Sequence, residues 1–301
     1  MSLKLKYWIS AFRLCTLPLA LSTVLLGGFI AYFDGVTNWT VFILALLTTL
    51  FLQILSNLAN DYGDSSHGVD NIHRVGPQRT VQSGKISARQ MKVAIIILSV
   101  LCLATGIPLV FMALQGGSHL VKVLFLMMGL LAIIAAIKYT VGSNPYGYYG
   151  LGDLFVFIFF GLAGVLGTHY LITKQFHADV ILPASAVGFL SMAVLNLNNM
   201  RDRENDANSS KKTLVVRFGI RTARIYHLIL ILGSVICGLI YMIINYRSPV
   251  QMFFLVTVPF FWMNVYGVFK YTIPAELDPY LKRLALTTLL FSIIFGFSLV
   301  L

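Results

Sequence analysis

Residues 93–114 read VAIIILSVLCLATGIPLVFMAL, a stretch of 22 residues without a charged side chain. About 20 such residues form a helix long enough to cross the hydrocarbon core of a bilayer. A strand of a membrane barrel needs only about 9–11 residues and alternates lipid-facing with polar positions, which this stretch does not. The stretch therefore predicts a membrane-spanning α-helix, whose backbone polar groups are bonded within their own segment.

The rest of the chain has the same character. Its 301 residues are 58% hydrophobic and 11% charged, and the mean hydropathy is +0.83, whereas soluble domains are about 45–50% apolar and about 25% charged. This composition excludes an ordinary soluble enzyme and a nucleic-acid-binding module, so no nucleic-acid partner is expected despite the formal net charge of +11. No linker divides the chain, and residues 1–301 are interpreted as one integral membrane domain.

Apolar runs of this kind recur nine times, which makes the predicted fold all-α. The candidate spans are residues 14–33, 39–59, 92–114, 120–139, 152–173, 180–200, 224–244, 250–270 and 284–301. If the N-terminus lies in the cytoplasm, 19 of the 22 Lys and Arg residues fall in cytoplasmic segments. Because cytoplasmic loops are enriched in Lys and Arg, the predicted orientation is N-in and C-out.

Six of the 11 acidic residues lie in or just after two short segments, at the predicted cytoplasmic ends of the second and sixth spans. The first segment, residues 57–64, reads NLANDYGD and is followed by Asp70; the second, residues 198–206, reads NNMRDREND. Residues three or four apart share a helix face. The spacing therefore predicts two stripes of oxygen ligands, at Asn57, Asp61 and Asp64 and at Asn198, Asp202 and Asp206.

The two stripes suit a shared cation site. Asp61 and Asp202 are 141 residues apart, and four spans separate equivalent points, so both helices point the same way, as in an internal duplication. Carboxylates near a membrane interface resist desolvation unless cations share them. Their hard oxygen atoms suit Mg²⁺, which also binds substrate phosphates. Two facing stripes thus predict a clamp for a diphosphate, and the alternative, solvated loop carboxylates, does not explain the repeated pattern.

These residues are similar to those of the UbiA superfamily of membrane prenyltransferases, and within it to the MenA branch, which acts on 1,4-dihydroxy-2-naphthoate. The likeness runs from about Arg13 to the C-terminus. The segments that carry it are residues 53–64, 74–79, 139–142, 144–149, 150–154, 198–206, 212–214 and 282–296. One departure is that many members have a third aspartate where this chain has Gly68, with Asp70 as its next acid.

The resemblance implies a nine-helix bundle that transfers a polyprenyl group from polyprenyl diphosphate to 1,4-dihydroxy-2-naphthoate. A ring carbon of the acceptor attacks the allylic cation, carbon dioxide is lost, and the product is a demethylmenaquinone. The implied cofactor is Mg²⁺, with two ions bridging the diphosphate. The implied location is the lipid bilayer of a bacterial inner membrane, with the active site facing the cytoplasm.

The candidate site residues follow from the motifs and the resemblance together. Metal ligands are expected at Asn57, Asp61, Asp64, Asp202 and Asp206. Catalytic residues are expected to be the same four aspartates with Lys138 and Tyr139. Substrate-binding residues are expected at Asn57, Asn60, Arg74, Arg79, Tyr149, Asp153, Asn198, Asn199, Arg201 and Lys212. The basic residues and tyrosines among them also fit a simpler role as interfacial anchors, and Asp153 fits a helix cap.

Other functions remain open at this point. A related enzyme would use another acceptor, such as 4-hydroxybenzoate or homogentisate, and an ion-coupled transporter would also contain intramembrane acids and an internal repeat. A CDP-alcohol transferase would carry its aspartates in one tight motif, unlike this chain. The six histidines show no paired metal-ligand spacing, and none is assigned to catalysis.

Overall fold

The computed structural model describes residues 3–69 and 75–301, and all regular structure within these ranges is helical. In the described part of the chain, nine stretches are long and apolar enough to cross a membrane, which confirms the predicted fold class and number of spans. The nine stretches, called spans one to nine, are Leu3–Phe33, Trp39–Ser66, Ala88–Ala113, His119–Lys138, Gly152–Thr173, Ala178–Arg201, Leu214–Ile244, Pro249–Lys270 and Pro274–Val300.

Several spans are built from more than one helical segment. The α-helices are α1 (Leu3–Phe12), α2 (Leu17–Phe33), α3 (Trp39–Ser66), α4 (Ala88–Ala113), α5 (His119–Lys138), α6 (Gly152–Val156), α7 (Gly167–Thr173), α8 (Ile181–Arg201), α9 (Arg203–Asn208), α10 (Leu214–Ile244), α11 (Val258–Lys270) and α12 (Leu277–Val300). A π-helix (Phe157–Leu166) joins α6 to α7. Short 3₁₀ segments are Leu14–Thr16, Tyr146–Tyr149, Ala178–Val180, Pro249–Thr257 and Pro274–Glu276.

Helix α3 shows why some spans are longer than their apolar runs. The Asn38 side chain caps its start by accepting a hydrogen bond from the Val41 backbone N–H at 3.1 Å. The helix then continues past the predicted end at residue 59 to Ser66. Hydropathy marks only the lipid-embedded part of a helix, whereas backbone hydrogen bonding continues into the polar interface. The first aspartate motif is therefore helical throughout.

The core is divided between two groups of spans. The largest buried apolar cluster joins span one to spans five to nine, and includes Leu26, Leu190 and Phe291. Two smaller clusters join residues of spans one to five, for example at Leu55 and Met91 in one and at Val24 and Leu171 in the other. Large apolar side chains on the outer surface, such as those of Ile96 and Trp262, are exposed, as expected where lipid is the solvent.

Close backbone approaches between spans depend on glycine. A Cβ atom on Gly63 would lie 2.5 Å from Thr140 Oγ1, so only glycine permits the contact that holds residues 139–149 beside the end of α3. The Thr140 hydroxyl fixes the contact by donating a hydrogen bond to the Ala59 carbonyl at 3.0 Å. Residues from the loop between spans four and five are thereby brought to the first aspartate motif.

Candidate active site

A cavity of about 370 Å³ lies between spans one to six. Apolar side chains such as those of Leu52, Phe125 and Phe159 form most of its walls. Its polar groups include residues from the ends of α3 and α8, from the loops that follow them, from the loop after α5 and from the junction of α1 and α2. The polar lining includes Asn57, Asn60, Asp64, Arg79, Tyr139, Asn198 and Lys211. A chamber with one polar end and long apolar walls matches a ligand with a charged head and a lipid tail.

The end of α3 presents Asn57, Asn60 and Asp64 to the cavity. Their spacing of three and four residues places them on one helix face. The Asp64 carboxylate is buried and accepts a hydrogen bond from the Tyr148 hydroxyl at 2.9 Å. The Asn57 amide donates to the Phe12 carbonyl and to Thr16 Oγ1, both at 2.9 Å. Asn57 therefore also ties α3 to the junction of α1 and α2.

Asp61 has different surroundings from its neighbours in the motif. Its buried carboxylate accepts hydrogen bonds from the Thr80 backbone N–H at 3.1 Å and the Thr80 hydroxyl at 2.6 Å. The Val81 backbone N–H donates to the other carboxylate oxygen at 3.2 Å. Asp61 does not belong to the cavity lining. These contacts anchor the loop at Thr80 and Val81. The residue just before them, Arg79, lines the cavity.

The second motif is organised by the Arg201 guanidinium. Its Nε and Nη2 atoms donate to the two carboxylate oxygens of Asp202 at 2.9 and 2.8 Å, in a bidentate pair. Nη1 donates to Asp278 at the start of α12 at 2.9 Å, and Nη2 also donates to the Asn198 side chain at 2.8 Å. Charge-assisted bidentate pairs have a fixed geometry. Arg201 thus holds spans six and nine in register beside the cavity.

Lys211 joins the two motifs. Its buried ammonium nitrogen lies 3.6 Å from an Asp64 carboxylate oxygen and 3.7 Å from an Asp206 carboxylate oxygen. Burial opposes the charged form, but the two carboxylates outweigh it and raise the pKa of Lys211 above its ordinary value. The ammonium also lies 5.3 Å from the centre of the Tyr148 ring. The structure therefore brings carboxylates from distant parts of the chain to one cation.

Tyr139 forms part of the wall next to these charges. Its ring packs edge-on against Tyr146, with 5.4 Å between the ring centres. Burial, above all, raises the pKa of Tyr139 to about 12, so its hydroxyl stays protonated and neutral at physiological pH. The neutral ring presents aromatic surface to the cavity close to Asp64. An aromatic face of this kind attracts a positive charge.

The sequence pattern of the UbiA prenyltransferase family matches residues 20–289. This chain belongs to that family. Among its relatives, the 1,4-dihydroxy-2-naphthoate octaprenyltransferase of Haemophilus influenzae is 42% identical and aligns over 98% of this chain and 96% of its own length. The Escherichia coli protein of the same name is also 42% identical, over 96% of this chain and 93% of its own.

Solved structures of UbiA homologues share the fold. The apo form of a homologue from Aeropyrum pernix K1 has a TM-score of 0.71 at 14% identity and covers 94% of this chain and 96% of its own. A homologue from Archaeoglobus fulgidus, bound to DMAPP and Mg²⁺, has a TM-score of 0.62 at 18% identity and covers 98% and 99%. The arrangement of nine spans is thus that of the UbiA family.

The predicted site residues of this UbiA family member fall into three groups. Those that line the cavity are Asn57, Asn60, Asp64, Arg79, Tyr139 and Asn198. A second group does not line the cavity but forms the ion pairs next to it, and consists of Arg201, Asp202 and Asp206. Those outside the lining are Asp61, Lys138, Tyr149, Asp153, Asn199 and Lys212. Arg74 and Asp70 lie outside the described residues.

The third group has identifiable surroundings. The Asp153 carboxylate is buried and accepts a hydrogen bond from the Tyr226 hydroxyl at 3.1 Å. Tyr149 is exposed, and its hydroxyl donates to the Asn144 side chain at 3.2 Å. Lys138 and Lys212 are exposed, and Asn199 is buried. These contacts connect the segments around the cavity without reaching into it.

Sequence reasoning did not select Tyr148, Lys211 or Asp278 for the site. Tyr148 and Lys211 each stand next to a residue that was selected, Tyr149 and Lys212. A loop has no fixed periodicity, so the sequence gives no signal for which of two neighbours points inward. Asp278 did offer a signal, since it is one of few acids near the start of the ninth span and precedes Lys282 by four residues.

Proposed function

We propose that this chain transfers a polyprenyl group from polyprenyl diphosphate to 1,4-dihydroxy-2-naphthoate, with decarboxylation, to give a demethylmenaquinone in menaquinone biosynthesis. The observation that carries the proposal is the convergence of Asp64, Asp206 and Lys211 at the polar end of an apolar cavity. Relatives with the name of this activity are 42% identical over nearly their whole length, which supports the choice of acceptor.

The donor set fits a magnesium-bound diphosphate. Asp64 and Asp206 offer carboxylate oxygens, and Asn60 and Asn198 offer amide oxygens beside them. These hard ligands suit Mg²⁺, which keeps part of its water shell and binds phosphates. We infer that the two motifs together hold two Mg²⁺ ions. When bound, Mg²⁺ would neutralise charge that develops on the leaving diphosphate.

The chain's own residues then have separate tasks. Lys211 and Arg79 stand at the polar end, where their charges would pair with the oxygens of the diphosphate once metal ions take the carboxylates. The apolar walls would hold the prenyl tail and keep water away from the allylic cation. Tyr139 would present its ring to the same cation. The cavity would place the acceptor ring against the first carbon of the donor.

The proposed location is the cytoplasmic membrane of a bacterium, with the cavity's polar end facing the cytoplasm. Cytoplasmic enrichment in Lys and Arg supports this orientation, because 19 of the 22 basic residues fall in segments that it places in the cytoplasm. The aspartates of the two motifs lie at one end of the helices, whereas the site of an ion-coupled transporter is expected near the bilayer midplane. We therefore favour the transferase over the transporter.

An acceptor competition assay tests the function. The purified chain, with labelled octaprenyl diphosphate and Mg²⁺, is expected to form a decarboxylated naphthoquinol product and to release diphosphate. Removal of Mg²⁺ with a chelator is expected to stop both. A preference for 4-hydroxybenzoate or homogentisate over the naphthoate would contradict the acceptor, and no metal-dependent release with any acceptor would contradict the reaction.

Asp61 offers a test of how the first motif works. Asp61→Ala removes three hydrogen bonds to the loop at Thr80 and Val81, and we expect a loss of about 1–3 kcal/mol in unfolding free energy. We also expect a higher KM for the prenyl diphosphate, because the loop that carries Arg79 loses these three contacts. The Mg²⁺ concentration for half-maximal rate should change much less than in Asp64→Asn. An equal rise in both variants would identify Asp61 as a metal ligand instead.

A further inference from the structure

A second cluster of ligand-type side chains lies far from the aspartate motifs. Asp34 follows the last residue of α2, His169 lies in α7, and His177 lies in the loop between spans five and six. One ligand atom from each lies within 4.8 Å of the other two. The 17 residues of α2 separate this cluster from the cavity's polar end, a distance of about 25 Å at 1.5 Å per residue.

The contacts within the cluster are short and centred on one oxygen atom. Asp34 Oδ2 lies 2.7 Å from His169 Nε2 and 3.2 Å from His177 Nδ1. Ligands of a tetrahedral ion with bonds of about 2.0–2.1 Å stand roughly 3.3 Å apart. The contact between Asp34 and His177 already has this spacing, the contact between Asp34 and His169 is about 0.6 Å shorter, and the two histidine nitrogens lie within 4.8 Å of each other.

His177 has a polar neighbour at each of its ring nitrogens. The Gln175 side-chain oxygen lies 3.2 Å from His177 Nε2, on the opposite side of the ring from the Asp34 contact at Nδ1. A partner on the remote nitrogen is also what fixes a metal-ligating histidine.

The burial of the three side chains would let an ion enter from water and would then shield it from solvent. The His169 side chain is fully buried. His177 is 37% exposed and Asp34 is 17% exposed, which opens a path from solvent. Two imidazoles and one carboxylate favour a transition-metal ion such as Zn²⁺ over Mg²⁺ or Ca²⁺.

We propose that Asp34, His169 and His177 bind one divalent transition-metal ion, with Zn²⁺ as the best match, at the membrane face opposite the aspartate motifs. A water molecule would complete the tetrahedron. The ion would join the end of span one to span five and to the loop after it, and spans one and five also line the cavity. Its role is structural, and it does not depend on the proposed prenyl transfer.

Zinc titration of the untagged, metal-stripped full-length chain tests this site. Excess Mg²⁺ is present throughout, so that oxygen-rich sites are already filled. We expect one equivalent of Zn²⁺ to bind and to raise the unfolding temperature, and Co²⁺ to give the strong visible absorption of a tetrahedral nitrogen and oxygen site. Neither readout requires enzyme activity.

Three variants locate the ion. His177→Gln and Asp34→Asn are expected to weaken binding by more than about 100-fold, beyond the loss caused by removing an outer partner. His119→Gln, at the start of α5 on the same membrane face, is the control and should bind normally. Retained affinity in either ligand variant, loss in the control, or no binding by the unmodified chain overturns the proposal.

Discussion

Asp206→Asn and Asp64→Asn are each expected to lower kcat for prenyl transfer by roughly a thousandfold, with the protein still folded. Each variant removes a negative oxygen from the place where the two motifs meet at Lys211. A bound metal ion supplies several kcal/mol of transition-state stabilisation, and about 4 kcal/mol corresponds to a thousandfold in rate. The loss should be accompanied by a higher Mg²⁺ requirement.

Glu204→Gln provides the matched control. Glu204 lies two residues from Asp206 in the same short helix, but its side chain is exposed. Single-turnover rates and Mg²⁺ titrations of the three variants separate a specific role from general loss of motif charge. A Glu204→Gln rate as low as that of Asp206→Asn would argue against a defined metal site, and near-normal rates in both aspartate variants would refute it.

Lys211→Gln is expected to lower both stability and activity, whereas Lys212→Gln should do neither. Lys211 is buried between Asp64 and Asp206, and its removal takes away a cation that both carboxylates share. Breaking a buried ion pair in this way costs about 3–5 kcal/mol. Lys212 is exposed, and an exposed substitution usually changes the unfolding free energy by less than about 0.5 kcal/mol.

The response to Mg²⁺ distinguishes the reasons for the loss. If Lys211 holds the place of a cation in the metal-free protein, Mg²⁺ should restore more stability to Lys211→Gln than it adds to the unmodified chain. Prenyl transfer should stay low even at saturating Mg²⁺, because the contact with the diphosphate is also lost. Thermal unfolding with and without Mg²⁺ measures the first effect. Equal stability and rates in the two lysine variants would show that Lys211 has no special role.

The apolar runs alone were enough to predict nine spans, since a helix that crosses lipid must be long and uncharged. The ends of those spans were harder to predict. Helix α10 begins at Leu214, well before the predicted residue 224, and turns at Gly219, whose φ of 79° suits glycine. Its first turns carry Arg217 and Arg221, which hydropathy interprets as a loop. At the polar interface of the membrane, backbone groups find hydrogen-bond partners in a helix and in an irregular loop alike. Composition therefore does not distinguish helix from loop in this region.

The sequence by itself determined the kind of site: two acidic motifs at equivalent helix ends, because helical spacing fixes which residues share a face. Only the tertiary structure decided which of two nearby candidate residues faces the cavity or the ion pairs beside it. Asp64 faces the cavity while Asp61 anchors a loop, and Tyr148 and Lys211 take the inner positions instead of Tyr149 and Lys212. Packing alone also assembled Asp34, His169 and His177 from separate segments. The physical reason is that contacts between distant segments depend on how helices pack, which local spacing does not encode.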